Sequence, residues 1–247
     1  MPPLRPLFAA VLLMLAPLSA ANAEGLSADQ KTDVEQVVHD YILKNPEIVL
    51  EAIQELRRRD EMAAQAQQQH ALSAMATDKD ANRNDPWIGN PDGDVTMIEF
   101  FDYRCGFCKR VFDDVQTLIK DDGNIRYVLK EFPVLGPESI YASRAAMAVW
   151  LHQRDKYQPF HVALMSNKGA LSNAKVLDLA ASVGVDVKAM SAKMKDPVID
   201  QTFDKTRAQA EALGITGTPG FVVGNKVIPG AIPLATMKQL VAAARKR

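Results

Sequence analysis

The chain has 247 residues, 29 basic against 30 acidic side chains, a formal net charge of −1 and 47% hydrophobic residues. That near-neutral balance lacks the basic excess of a nucleic-acid partner, and the composition is that of an ordinary globular protein long enough to bury a full core. Two cysteines in the whole chain are too few for a four-cysteine iron–sulfur cluster.

Residues 1–23 read as a secretory leader. Arg5 is their only charged side chain, Leu7 to Leu18 is an apolar core, and Ala21-Asn22-Ala23 is a small-x-small cleavage pattern. The run is too short, and too interrupted by Pro17, for a comfortable membrane span. Cleavage after Ala23 is expected to leave a soluble, exported chain, in a compartment where disulfides persist.

Residues 24–81 form a helical arm and linker. Ser27 and Gln30 fit a capping box. Val34, Val37, Val38, Tyr41 and Ile42 mark one apolar face. Asn45-Pro46 ends that helix and opens another, with Asn45 as the expected N-cap, and Ile48, Val49, Ala52, Ile53 and Leu56 give it a stripe. Arg57-Arg58-Arg59 reads as a solvated turn. Met62 to Ala76 is rich in Ala and Gln, with high helix propensity and little expected to be buried. The stripes either pack on the body of the same chain or pair with the same stripes of other subunits; periodicity leaves both open.

The body is expected over 82–247. Trp87-Ile88 starts a short strand, Thr96 to Phe101 a central one, and Ile125 to Phe132 a third. A helical insertion spans about 137–213: from Pro137 through Trp150, around Phe160 to Met165, from Ser172 to Gly184, Val187 to Met194, and Val198 to Leu213. Phe221 to Val223, Gly224-Asn225 and Lys226 to Ile228 form a hairpin. A last helix covers about Pro233 to Ala244. The order describes an α/β sheet with helices on both sides.

Cys105-Gly106-Phe107-Cys108 follows a strand and opens a helix, the context in which the spacing reads as redox-active. The first amides of a helix lack internal partners and carry partial positive charge, so a thiolate at Cys105 is stabilised there. Cys108, nearly one turn further, is placed to attack a mixed disulfide on Cys105. Structural zinc needs about four ligands, and His70 and His152 have no ligand spacing. Haem attachment needs His where Lys109 stands. An inert bridge closing so short a loop would restrict the unfolded chain little. No cofactor and no metal are expected.

The cysteine pair after a strand, with Gly217-Thr218-Pro219 before a late hairpin, resembles the thioredoxin fold, and the helical insertion resembles the DsbA group of periplasmic thiol oxidoreductases. The resemblance implies a cis Pro219 facing the cysteines. It also implies that Thr218 presents backbone groups to an extended substrate, with Gly106 and Phe107 counted as substrate-facing beside them. An ordinary trans turn is the alternative for Thr218-Pro219. Tyr41 to Ile53 ahead of a Cys-Gly-Phe-Cys domain is similar to the ScsC proteins, suppressors of copper sensitivity. Long-armed members trimerise through the arm and act as disulfide isomerases, so the resemblance implies a homotrimer, exported client proteins and a membrane thiol reductase resembling ScsB or DsbD. A monomeric dithiol oxidase and a copper-binding module are the alternatives.

Phe107 replaces the imidazole that DsbA carries between its cysteines, so Cys105 is expected to ionise less readily than the ~3.5 of DsbA and its disulfide to be less oxidising. Glu99, six residues before Cys105, matches the family's buried acid and is a candidate to take the Cys108 proton if burial raises it. The alternative is a strand carboxylate paired to a base such as Lys130.

Overall fold

The computed structural model describes residues 26–77 and 83–246. The expected leader and its cleavage point after Ala23 lie outside these. Two compact units meet between Arg57 and Arg58, upstream of the expected boundary at 81/82.

In the first unit, α1 (Ala28–Lys44) carries the capping box in full: Gln30 N–H donates to Ser27 Oγ at 3.2 Å and Ser27 N–H to Gln30 Oε1 at 2.9 Å. Asn45 does not cap the next helix as expected. Its side-chain amide turns back and donates to Tyr41 O at 2.8 Å, closing α1. After Pro46 comes α2 (Glu47–Thr77), whose residues through Arg57 belong to this unit. No residue of α1 is buried, and Val37, Tyr41, Leu50 and Leu56 are each more than half exposed. The apolar stripes therefore exist as read, and within this unit none of the described residues of α1 is buried.

The second unit is built on five strands: β1 (Trp87–Gly89), β2 (Val95–Phe101), β3 (Ile125–Glu131), β4 (Gly220–Val223) and β5 (Lys226–Pro229). Their order is β1-β3-β2-β4-β5, with β2 and β3 parallel and the other pairs antiparallel. Alternation sorts the side chains. Met97, Phe101, Tyr127, Leu129 and Phe221 join the larger core, while Ile98, Phe100, Val128 and Val222 enter a smaller one on the opposite face. An added Cβ at Gly220 would meet Ile215 Cγ2 at 2.7 Å, so the residue opening β4 must be small.

The larger core is covered by α3 (Gly106–Asp122), the helical insertion and, after β5, a closing helix. The insertion comprises α4 (Pro137–His152), α5 (Arg154–Ser166), α6 (Asn173–Ser182), α7 (Val187–Lys193) and α8 (Pro197–Ala212). The closing helix, α9 (Leu234–Arg245), packs on α3, β2 and β4. Gly123, at φ 70°, ends α3 in the left-handed conformation that favours glycine. Helix α5 surrounds Phe160–Met165 as expected and carries Pro159 inside it. Helix α4 buries Ala142, Ala145, Met147, Val149 and Trp150, an apolar surface extending around the helix that suits a centre-of-domain position.

One expectation fails on the smaller core. Leu72, in the Ala- and Gln-rich part of α2, is only 6% exposed and packs in the cluster containing Phe100, Phe132, Leu213 and Ile215. Gln68 Nε2–H donates to Leu213 O at 2.7 Å, satisfying a carbonyl just past the end of α8. The second half of α2 is thus part of the body. Leu72→Ala should destabilise the reduced protein by about 2–4 kcal/mol in chemical denaturation; a change below about 0.5 kcal/mol would detach this half-helix from the core.

Candidate active site

Strand β2 delivers the chain to Asp102-Tyr103-Arg104, and Cys105 takes the N-cap position of α3 with extended backbone (φ −70°, ψ 115°). Cys105 N–H donates to Asp102 O at 3.0 Å, which closes the turn. Cys108 N–H points back at Cys105 Sγ at 3.4 Å, where a serine or aspartate oxygen would ordinarily cap a helix. No acid stands in the first turn of α3 to compete with negative charge on that sulfur. Both cysteines are free thiols.

The Cys105 thiol is pulled down to about 5. The largest cause is the hydrogen bond from the Cys108 side chain; Thr218 and the amides of Cys108 and Phe107 add to it, against the cost of partial burial. Cys108 is pushed far up, first by that same bond to Cys105, then by burial and by the charge of Glu99. The environment makes one sulfur the anion and keeps the other a thiol.

Thr218-Pro219 is a cis peptide, and Cys105 Sγ lies 3.2 Å from Thr218 O. Gly106 and Phe107 are exposed at the start of α3, Phe107 with 55% of its surface free and its ring 4.9 Å from the Arg110 guanidinium. The structure therefore gathers Cys105, Cys108, Gly106, Phe107, Thr218 and Pro219 at one end of the sheet.

Glu99 lies on the same sheet face as Tyr127, whose hydroxyl donates to Glu99 Oε2 at 2.7 Å. Glu99 Oε1 is buried without a hydrogen-bond partner. Burial is the main reason its carboxyl rises to about 8; the Tyr127 bond opposes the rise and the charge of Cys105 adds to it. Pairing with Lys130 is excluded. Lys130 stands opposite Phe100 in the β2–β3 register, faces the smaller core, and is ion-paired there with buried Asp85. Burial pushes Asp85 up and Lys130 down, each opposed by the other's charge.

Several site neighbours escaped sequence reasoning. Asp102 is fully buried and accepts from Arg104 N (2.7 Å), Val134 N (2.9 Å), Leu135 N (3.1 Å) and Ser139 Oγ (2.8 Å). It fixes the exposed pair Val134 and Leu135 to the turn that carries Cys105. Tyr103 Oη lies between Glu131 Oε1 (3.1 Å) and His161 Nδ1 (3.0 Å), and Ser143 Oγ donates to Glu131 Oε2 at 2.7 Å. Burial pushes Glu131 up and His161 down to about 3, so this network holds a neutral imidazole. The signal for Asp102 was its place at the end of the central strand; His161, 58 residues from Tyr103, gave none. Among the described residues, no three His, Cys, Asp or Glu side chains group closely enough to hold a metal ion.

Comparison with known proteins gives two family matches. The DSBA-like thioredoxin domain covers residues 96–242, and the N-terminal domain of the copper resistance protein ScsC covers residues 30–63. A thioredoxin-like oxidoreductase from Silicibacter pomeroyi superposes with a TM-score of 0.66 at 39% identity, over 69% of this chain and 99% of that one. A linker-deleted ScsC mutant from Proteus mirabilis superposes with a TM-score of 0.67 at 28% identity, over 91% and 98%. Disulfide bond formation protein D of Bacillus subtilis is 26% identical over 64% of this chain and 76% of its own length. The chain spans only 25% of a matching Na(+)/H(+) antiporter, NhaA of Herminiimonas arsenicoxydans, at 26% identity.

Two pH dependences of opposite sign follow. From about pH 5 to the ordinary thiol value of 9.0, the native chain holds a Cys105 thiolate where the unfolded chain binds a proton. This contribution to stability therefore grows with pH across that window and is lost as pH falls towards 5. Between 4.5 and about 8, native Glu99 keeps a proton the unfolded chain has released, so its contribution falls as pH rises. Alkylation of the reduced protein should occur at Cys105 with a midpoint near pH 5. Glu99→Gln should gain stability over the parent at pH 8 relative to pH 5 in denaturation curves; equal differences at both pH values would refute the buried-acid assignment.

Proposed function

This chain belongs to the DsbA-like thioredoxin family, and from that premise we propose that it is a periplasmic thiol:disulfide interchange protein working as a disulfide isomerase or reductase. The observation that carries the exchange chemistry is Cys105 Sγ at the N-cap of α3, held against the Cys108 amide. In the proposed cycle Cys105 thiolate attacks one sulfur of a client disulfide. A Cys105–client bond forms as the client S–S bond breaks, and the other client sulfur leaves as thiolate. That thiolate either attacks a different client disulfide, whose displaced thiolate then attacks the Cys105–client bond and restores the Cys105 thiolate, which isomerises the client, or picks up a proton. If the complex stalls, Cys108 gives its proton to Glu99 and attacks Cys105 Sγ, releasing the client reduced and leaving Cys105–Cys108 oxidised. A membrane thiol reductase resembling ScsB or DsbD supplies the two electrons that restore the dithiol.

Thr218 and Pro219 receive the client backbone beside Cys105, and exposed Gly106 and Phe107, which follow the sulfur in the chain, face the client as well. Phe107, Val134, Leu135 and Ile140 offer exposed apolar surface for a misfolded client. The leader brings the chain to the periplasm, and no helix among the described residues is long and apolar enough to cross a membrane.

Isomerase rather than oxidase is supported by the arm. The uncovered stripes of α1 and the first half of α2 fit a second and third copy of the same arm, and sites sharing one stalk hold a client while its bonds reshuffle. The test uses the full mature chain and a version carrying Val38→Asp and Ile42→Asp. The parent should be a homotrimer in solution mass measurements and reactivate a scrambled-disulfide substrate. The double variant should be a monomer whose isomerase activity falls several-fold while its dithiol still reacts with small disulfides. A monomeric parent that introduces disulfides but does not reshuffle them would overturn this reading in favour of a dithiol oxidase.

A further inference from the structure

A cavity of about 400 Å³, within the size range of small-molecule sites, opens beside Arg104 and Gly106, the two residues flanking the attacking sulfur. Its walls hold three cations, Arg104, Lys109 and Lys168, and one acid, Glu138. The acid is already answered: Arg104 Nη1 lies 3.1 Å from Glu138 Oε2 while also donating to Leu135 O. Lys109 is half-buried and gives one ammonium N–H to Asn167 O; the charge of buried Asp102 reaches it, but no carboxylate forms an ion pair with it. Lys168 is exposed and has no partner among the described residues. Ser172, the N-cap of α6, stands in the same wall, so the positive end of that helix borders the cavity as well.

The protein as a whole carries a formal charge of −1, so it does not attract anions by its net field. The attraction is local. It also sits where it is needed: an anionic disulfide approaching a thiolate meets like charge, and cations beside the sulfur offset that repulsion.

We propose that this cavity is a carboxylate subsite, which selects disulfide substrates bearing an acidic group close to the sulfur attacked by Cys105. The inference rests on the thiol-exchange reading above and adds the charge of the substrate. With oxidised glutathione as the probe, Cys105 thiolate forms a bond to one glutathione sulfur and the other leaves as glutathione thiolate. Cys108 then loses its proton and attacks Cys105, releasing the second thiolate. Two electrons pass from the protein dithiol to the disulfide, and nothing else is consumed. The same carboxylate can belong to a small thiol or to an acidic residue next to a client cysteine.

The experiment measures second-order rate constants of the reduced full mature chain with oxidised glutathione, neutral hydroxyethyl disulfide and cationic cystamine. It adds two peptide disulfides that differ only by Glu or Gln beside the cysteine. Each rate is divided by that of a simple solution dithiol with the same disulfide. The normalised ratio of glutathione to hydroxyethyl disulfide should exceed one, and cystamine should fall below it. Lys168→Gln and Lys109→Gln should each lower the ratio about two- to fivefold, the scale of one partly exposed ion pair. Lys168→Glu should lower it further, and added salt should erode it. Because the readout is a ratio, a general change in Cys105 reactivity cancels, and reaction with the neutral disulfide reports that each variant is folded. A glutathione response alone supports the subsite as one for small thiols; a peptide response alone supports it as one for clients. A wild-type ratio near one that the lysine variants leave unchanged overturns the subsite but not the exchange chemistry. Failure to react with any of the disulfides overturns both.

Discussion

The hydrogen bond from the Cys108 amide to Cys105 Sγ is the contact on which the proposed chemistry depends. A helix start offers amides that need an acceptor, and most helices supply a hydroxyl or carboxylate oxygen there. Here the acceptor is a sulfur that ionises. Beside the larger effect of the Cys108 thiol, the amides that cap the helix also favour the thiolate, so the same backbone geometry serves stability and reactivity. The first turn that follows is Gly106, Phe107 and Cys108, with no side chain to repel the charge. Everything upstream places this one atom: the central strand β2, the Asp102 carboxylate holding the turn, and the Tyr103 ring locked between Glu131 and His161.

Local features of this arrangement were legible in the sequence, and long-range ones were not. The cysteine pair, its strand and its helix are contiguous, so apolar runs and turn residues sufficed. Glu99 shows the limit. Its place six residues before Cys105 was readable, but its partner depended on the parallel register of β2 and β3, which joins segments far apart in the chain. That register sets Phe100 opposite Lys130 and puts Tyr127 on the face of Glu99. A one-residue difference in pairing would have exchanged the two partners. The Glu131–Tyr103–His161 network is more hidden still, since it joins a strand, a turn and the helical insertion.

The arm teaches a related lesson. Stripes of Val, Ile and Leu announce a buried face, and in α1 they mark apolar rows that stay exposed among the described residues. In the second half of α2 a lone Leu72 amid Ala and Gln announces little, yet it fills the smaller core. Ala71 and the flexible Met75 pack beside it, so the contact rests on a few positions in an otherwise polar stretch. Hydropathy averaged along a helix misses a contact made by so few residues.

The electrostatics of the site also suggest how the proposed exchange orders its two steps. Negative charge on Cys105 raises both Glu99 and Cys108. While Cys105 is a free thiolate, Glu99 therefore tends to keep its proton, and Cys108 stays a thiol that does not compete for the client. Once Cys105 is bonded to a client sulfur that charge is gone. In the proposed cycle Glu99 then ionises more readily and can serve as the base, and Cys108 loses the interaction that held its own proton most firmly. The resolving thiol is thus released by the event it must resolve.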